Sequence, residues 1–487
     1  MPMQKNETGC APHGSTNEAL ARTAAPEFWR SLDEFSQNDE FKELMSREFS
    51  PGAQELAEGD DRRTFIKVMG ASFALAGLAA CRRWPESKLV PFAAAQTNRT
   101  AGVPVPYATM VETWGVAQPC VAKTFDGRPI KLDGNRLFAG AGASMPATQA
   151  RVLELYDTDR SRAASRNQSP TTYADFTTWC ATQRTTWQAD GGKGLAILCD
   201  LSASPTLADM QSRMAKAYPN ATWTWWGAAN DDASLAGASA VATPDFSKAS
   251  VILVLDGDPL NDPAMGVKFA RDWAQGRKVD NADASKQAMS RLYIAESTLS
   301  VTGLSADERF TMRPSEIAVF AAMVAKELGV SGADALLAGT AASHILDEHA
   351  KEVFAELAKD LAKAGSGALV FAGRTADPAC HAIAAAINTK LASAAAAYRA
   401  SSTGTSVTAQ LSTLASALDA GSVSTLVILG SNPVYDAPSD LAFAAKMKKA
   451  AETVHLSLYA NETTALCSWH IPSCHALENW FDGRAWD

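Results

Sequence analysis

Four short stretches of the chain are apolar without interruption: Leu195–Cys199, Val251–Leu255, Ala368–Ala372 and Thr425–Leu429. Segments of helical period lie between them, through Leu207, Met210 and Met214, over 315–328 and over 350–364. A strand whose every position is apolar is covered on both faces, and helices between such strands imply parallel pairing. The pattern therefore predicts an α/β fold of mostly parallel sheets flanked by helices. Trp223, Trp225 and Trp226 fit a buried strand with a flanking turn, or an aromatic binding strip. Ahead of this body, Phe28, Trp29, Leu32 and Phe35 share one helical face. Phe41, Leu44, Met45 and Phe49 share a second, which Pro51-Gly52 stops.

A different pattern covers Val68–Ala80, which is mildly apolar with no polar face. It is shorter than the roughly 20 residues a membrane-spanning helix needs. It follows Asp61-Arg62-Arg63-Thr64-Phe65-Ile66-Lys67, so Arg62, Arg63, Phe65 and Lys67 form a twin-arginine export signal. The signal sits unusually deep in the chain, behind the helical residues just described. Leu78-Ala79-Ala80-Cys81 matches a lipobox with Cys81 as the acylated residue, whereas Ala93-Ala94-Ala95 suits an ordinary signal peptidase. Lipidation, cleavage and retention of the signal all stay open. The expected location is the periplasmic face of the cytoplasmic membrane, peripheral or lipid-anchored.

Composition narrows the chemistry. The 487 residues allow two or three domains, and a net charge of −9 excludes a phosphate-neutralising nucleic-acid binder. The cysteines stand at 10, 81, 120, 180, 199, 380, 467 and 474, with no CxxC pair, so no standard cluster or zinc-ribbon set is present. Cys467, His470, Cys474 and His475 are metal-ligand types without a standard zinc or haem spacing. His344 and His349 are five apart, about 140° around a helix, and do not share a face. Cys180 and Cys199 would need depressed pKa values to be reactive.

The export signal and its preceding helices, together with blocks in the body, carry a family resemblance. Phe28–Glu34, Phe41–Phe49 and the displaced twin arginine resemble the extended signal region of molybdopterin-oxidoreductase-like proteins. The best-known members are the large iron–sulfur subunits of alternative complex III, a quinol-oxidising respiratory complex. Phe125–Asn135 is similar to that family's hairpin, Gln149–Arg160 to its next signature, and Leu477–Asp487 to a later block. The resemblance runs from about residue 26 to the end. It implies a formate dehydrogenase/DMSO reductase-like α/β fold, with the C-terminal part of the family architecture missing. The implied organisation is a helical extension (1–60), the signal (61–81), a β-rich hairpin region (82–165) and α/β domain or domains (166–487). Within the last, Gly430-Ser431-Asn432-Pro433 corresponds to the loop that lies against the pterin-dinucleotide cofactor, here as a vestigial loop.

Three departures shape the functional expectation. Cys120 is the only thiol where the family places its N-terminal cluster set. Ser144 is the only occupant, by position, for the side chain on the metal. No cysteine set follows for a ferredoxin-like domain, so the chain is either a split subunit or a truncated product. The resemblance then implies a subunit not catalytic by itself, with no cofactor of its own. Its 4Fe-4S and 3Fe-4S clusters would belong to a missing or separately encoded ferredoxin-like domain. Partners would be that cluster-binding subunit, a multi-haem cytochrome c and polytopic quinol-binding membrane subunits. The alternative is an active molybdopterin-dependent oxidoreductase holding molybdopterin guanine dinucleotide.

Overall fold

In the computed structural model the described residues are 39, 100, 102–138, 142–230, 240–279, 288–337, 345–400 and 403–485. Those from 100 onward belong to one unit, Gln96–Asp487. The twin-arginine residues Arg62, Arg63, Phe65 and Lys67, Cys81, Ala93–Ala95, both helical faces, and His344 lie outside the described residues. Among the described residues no helix is long and apolar enough to cross a membrane.

The first elements form an antiparallel meander of β1 (Val105–Thr113), β2 (Val116–Phe125) and β3 (Arg128–Gly134). The hairpin expected over Phe125–Asn135 is its second half. Its turn takes Asp126 and Gly127 through positive φ, 50° and 78°, the geometry of a tight two-residue hairpin. The helix Pro146–Tyr156 packs on the meander through Val152, against Val111, Cys120 and Leu132.

Beyond the two-residue strands β4 (Ser165–Arg166) and β5 (Ser169–Pro170), the remaining strands divide between two parallel sheets and a small antiparallel pair. The first parallel sheet holds β6 (Leu195–Cys199) and β7 (Thr222–Trp225). The chain then forms β8 (Ala240–Ala242) and the second sheet: β9 (Val251–Leu255), β10 (Arg291–Glu296), β11 (Glu308–Thr311) and β12 (Ala368–Ala372). It next pairs β13 (Tyr398–Ala400) with β8 and returns to the first sheet as β14 (Thr425–Leu429), β15 (Glu452–Ser457) and β16 (Trp469–Pro472). The first sheet has the order β5-β4-β16-β15-β14-β6-β7, with β16 to β7 parallel, and the second β11-β10-β9-β12, all parallel. The second sheet is thus an insertion between two halves of the first.

All four uninterrupted apolar runs are strands with the expected ends, and β6, β9 and β14 are central in their sheets. Ile252, Leu253, Val254 and Leu255 are fully buried, each side chain contributing roughly 1.5–3 kcal/mol against exposure. The expected helices are Pro205–Ala217, Pro314–Glu327 and Glu348–Ala364. Local chemistry sets their starts: the Ser204 hydroxyl accepts from the Leu207 amide, and Asp347 accepts from the Ala350 amide. Trp225 and Trp226 are buried at the end of β7 and Trp223 half-buried, so the tryptophan segment is a strand with a flanking turn.

Candidate functional site

Each parallel sheet has a point where chain order reverses. From β6 the chain moves to β7 on one side and later to β14 on the other; from β9 it moves to β10 on one side and β12 on the other. Loops diverge at such switch points and leave a crevice outside the carboxyl ends of the strands, where ligands of open α/β sheets bind.

The crevice of the first sheet measures about 580 Å3. Its walls come from the β1–β2 turn, from Ala147, Arg151 and Glu154 on the helix Pro146–Tyr156, and from the residues after β6, β7 and β14. Among the described residues four carboxylates line it: Glu112, Glu154, Asp200 and Asp436. Burial pushes Glu112 up, although it accepts from the Ser202 hydroxyl at 2.9 Å and from the Ala203 amide. Burial, followed by the charges of Glu112 and Asp436, pushes Asp200 up to about 6. Burial also raises Asp436, against the opposing bond from Trp226 Nε1 at 2.7 Å. Burial works against ionised Glu154 too, but His475 and Arg151 outweigh it and hold that carboxyl low. Among the described residues Arg151 is the only cation in the lining, and its Nη1 donates to Glu154 Oε1 at 2.8 Å.

The Gly430–Pro433 loop follows β14 beside this crevice, and its groups turn into the protein. Gly430 has φ 83°, and a Cβ there would lie 3.3 Å from Asp200 Cβ. The Ser431 hydroxyl donates to the Trp226 carbonyl at 3.0 Å, and the Ser431 carbonyl faces His455 Nε2 at 3.0 Å. Asn432 Oδ1 accepts from the Thr463 amide and hydroxyl at 3.3 and 2.7 Å, while its Nδ2 donates to Glu462 Oε2 at 2.9 Å. Pro433 is buried and opens the short helix Pro433–Asp436. An anionic dinucleotide placed here would meet four carboxylates and one guanidinium already paired with Glu154. The residues present do not fit that group.

The crevice of the second sheet is smaller, about 70 Å3, and differently charged. Its lining includes Arg374, Arg399 and His381 beside Asp258 and Asp262. Asp258 accepts from the Thr302 amide and hydroxyl at 2.9 and 2.6 Å, and Asp262 from the Ala264 and Met265 amides at 2.8 and 2.7 Å. Gly257 and Gly373 touch at its base: a Cβ on Gly373 would lie 2.1 Å from the Asp256 carbonyl oxygen. Trp114, at φ 50° in the β1–β2 turn, lines the first crevice and lies under the Arg374 guanidinium of the second, 5.3 Å from ring centroid to Cζ.

Other residues singled out from the sequence fall elsewhere. Cys120 is fully buried in the meander core, where burial pushes its thiol up to about 12. Ser144 Oγ donates to the Leu132 carbonyl at 2.9 Å and accepts from Gln149 Nε2 at 3.0 Å, tying β3 to the following helix. Cys467 is buried and Cys474 exposed, while His475 Nε2 donates to the Arg151 carbonyl at 3.0 Å. Among the described residues no group of three or more His, Cys, Asp or Glu is arranged to hold a metal ion. His349 is exposed. Burial raises Cys199, and likewise Cys180, so neither thiol has the depressed pKa of a reactive one. The sequence pattern alone does not mark the carboxylates of the first crevice. The available signal was position: Asp200 immediately follows a buried strand, where a switch-point residue stands.

No family model matches the sequence, and no curated protein matches it. Among solved structures, acetylene hydratase from Pelobacter acetylenicus is similar with a TM-score of 0.52 at 12% identity, over 76% of this chain and 63% of that one. The formyltransferase/hydrolase complex from Methylorubrum extorquens, solved with methylofuran, has a TM-score of 0.41 at 14% identity, over 64% of this chain and 87% of that one. The first likeness establishes a distant molybdopterin-enzyme-like fold, α/β with parallel sheets and flanking helices. The chain spans 63% of the acetylene hydratase chain it matches.

Proposed function

We propose that this chain is a non-catalytic scaffold subunit of an alternative-complex-III-like quinol oxidoreductase, exported to the periplasmic face of the membrane. The membership rests on the resemblance of residues 28–67 and of the body blocks. The loss of chemistry rests on one observation above the others: the polar groups of Gly430–Pro433 are bonded to Trp226, His455, Glu462 and Thr463. A loop so engaged stabilises the sheet and has few groups left to grip a cofactor. The carboxylate lining of the adjacent crevice supports the same reading, as do buried Cys120 and the bonded hydroxyl of Ser144. Clusters, haems and quinol then belong to partner chains: a ferredoxin-like cluster subunit, a multi-haem cytochrome c and polytopic membrane subunits.

The rival reading, an active molybdopterin-dependent oxidoreductase, draws support from the size of the first crevice, about 580 Å3. Gentle solubilisation of membranes from the native host, capture of this chain and metal analysis separate the two. Co-purifying multi-haem cytochrome with no stoichiometric molybdenum or pterin on this chain is the expected result. Stoichiometric molybdenum and pterin on the isolated chain would establish the rival, and recovery alone in the soluble fraction would remove the complex assignment.

A further inference from the structure

The Gly430–Pro433 loop is held from behind by a buried row of hydrogen-bonding groups. His455 on β15 is fully buried, with Nε2 3.0 Å from the Ser431 carbonyl and Nδ1 2.8 Å from Thr464 Oγ1. Thr464 Oγ1 is in turn 3.4 Å from Nδ1 of His470 on β16, whose Nε2 lies 2.7 Å from the half-buried Ser161 hydroxyl. A carbonyl oxygen only accepts, so His455 carries its proton on Nε2 and accepts at Nδ1. Thr464 must then donate to His455 and accept from His470 Nδ1–H, which leaves His470 Nε2 to accept from Ser161. The Ser431 carbonyl thereby sets the His455 tautomer and, through Thr464, that of His470, which also bonds the His455 backbone, and the two imidazoles are opposite tautomers.

This arrangement has no good place for another proton. A second N–H on His455 would point at Thr464 Oγ1, which already receives the His470 donor. The Thr464 hydroxyl would have to turn to Asn461 Oδ1, 3.5 Å away and already accepting from the Thr464 amide. The charged group that acts on His455 is His470, at 6.2 Å between ring centroids, and two imidazoliums there repel. Glu462, on the helix that carries Thr464, directs its carboxylate at Asn432, and Arg160 beside Ser161 is paired with Glu478. Among the described residues no carboxylate compensates a buried imidazolium at His455, so a proton is accommodated by separating His455 from Ser431 and admitting water.

We propose that Ser161, His470, Thr464, His455 and Ser431 form an acid-sensitive latch that holds the Gly430–Pro433 loop while both rings are neutral and releases it when a proton enters. Release carries to the first crevice, because Ser431 also bonds Trp226, whose indole bonds Asp436 in the crevice wall. The latch is independent of the proposed complex membership. Burial, which disfavours the imidazolium of both His455 and His470, is consistent with it.

Two measurements on the full-length protein test the latch. Selective ¹⁵N-histidine labelling reads the tautomers with no substitution: Nε2–H at His455 and Nδ1–H at His470 are expected, and equal tautomers overturn the latch. Amide hydrogen exchange of residues 430–436, corrected for intrinsic rate, should show protection falling more than about tenfold between about pH 7.5 and about pH 4.5. His455→Gln, whose amide can donate to Ser431 and accept from Thr464, should abolish most of that fall. An unchanged pH response in His455→Gln, or pH-independent protection in the wild-type chain, refutes release by protonation.

Discussion

The two switch-point crevices have the same topological origin and opposite construction. Among the described residues the first, about 580 Å3, has four carboxylates facing one guanidinium; the second, about 70 Å3, has two arginines and a histidine beside two aspartates. Glycine accounts for part of the difference. At the second crevice Gly257 and Gly373 let the ends of β9 and β12 meet, whereas at the first Gly430 turns the chain away from Asp200 through a left-handed conformation. Parallel topology therefore creates a crevice at each reversal, but the residues just past the strand ends decide whether it is filled by backbone or left as space, and with what charge. A shared scaffold is weak grounds for a shared ligand.

A side chain added at each of the two glycines should separate these roles most sharply. Gly373→Val places branched carbon against the Asp256 carbonyl and Gly257, both backbone, and should cost more than about 3 kcal/mol or prevent folding. Gly430→Ala comes 3.3 Å from Asp200 Cβ, a close contact that a shift of a few tenths of an ångström relieves, and costs the left-handed backbone strain, about 1–2 kcal/mol. Thermal melts of both variants check the order, and equal losses would mean backbone contact is not what keeps the second crevice small.

Much of this frame was legible in the sequence because it depends on local pattern. An uninterrupted apolar pentapeptide such as Val251–Leu255 has no polar face to present, so its burial on both sides follows from the residues alone. The division into two sheets was not legible. Val251–Leu255 and Thr425–Leu429 look alike, and only long-range pairing assigns them to different sheets. The site was less legible still. Gly430–Pro433 was visible as a turn, but the inward direction of Asn432 depends on Glu462 and Thr463, thirty residues away in sequence. Glu112 carries no local mark; the loop Ser202–Ala203 gives it its place.

The crevice and the latch behind its loop also respond to pH in opposite senses. Burial lowers His455 from an ordinary 6.5 to about 4. Between those values the unfolded chain binds the proton and the folded chain does not, so stability is complete above about 6.5 and falls by about 3 kcal/mol as pH drops to about 4. Asp200, raised from 3.8 to about 6, has the opposite sign: its contribution is present below about 3.8 and is lost as pH rises through about 6. Surrounding chain crowds the Asp200 carboxyl and disfavours its charge, but its side chain still meets solvent in the crevice, so screening leaves about 1 kcal/mol. Denaturant titrations across this window should show a shallow net acid loss in the wild-type chain. Asp200→Asn should steepen it and His455→Gln should flatten or invert it. Parallel curves for all three proteins would mean neither group is desolvated as placed.

The smallest expected effect bears directly on what the Gly430–Pro433 loop is for. Asn432→Ala removes the Thr463 bonds, about 1 kcal/mol, and should lower the melting temperature by a few degrees. Asn432→Asp keeps an acceptor for Thr463 but sets a carboxylate against Glu462, so it should be less stable near neutral pH and recover on adding Glu462→Gln. That recovery would tie Asn432 to the helix Glu462–Leu466. A residue whose purpose is to hold a cofactor behaves differently, because its substitution changes bound pterin or molybdenum while leaving the melt of the empty chain nearly unmoved. The two variants therefore divide anchoring from ligand binding on the same side chain, where a larger disruption such as Gly373→Val would abolish both at once.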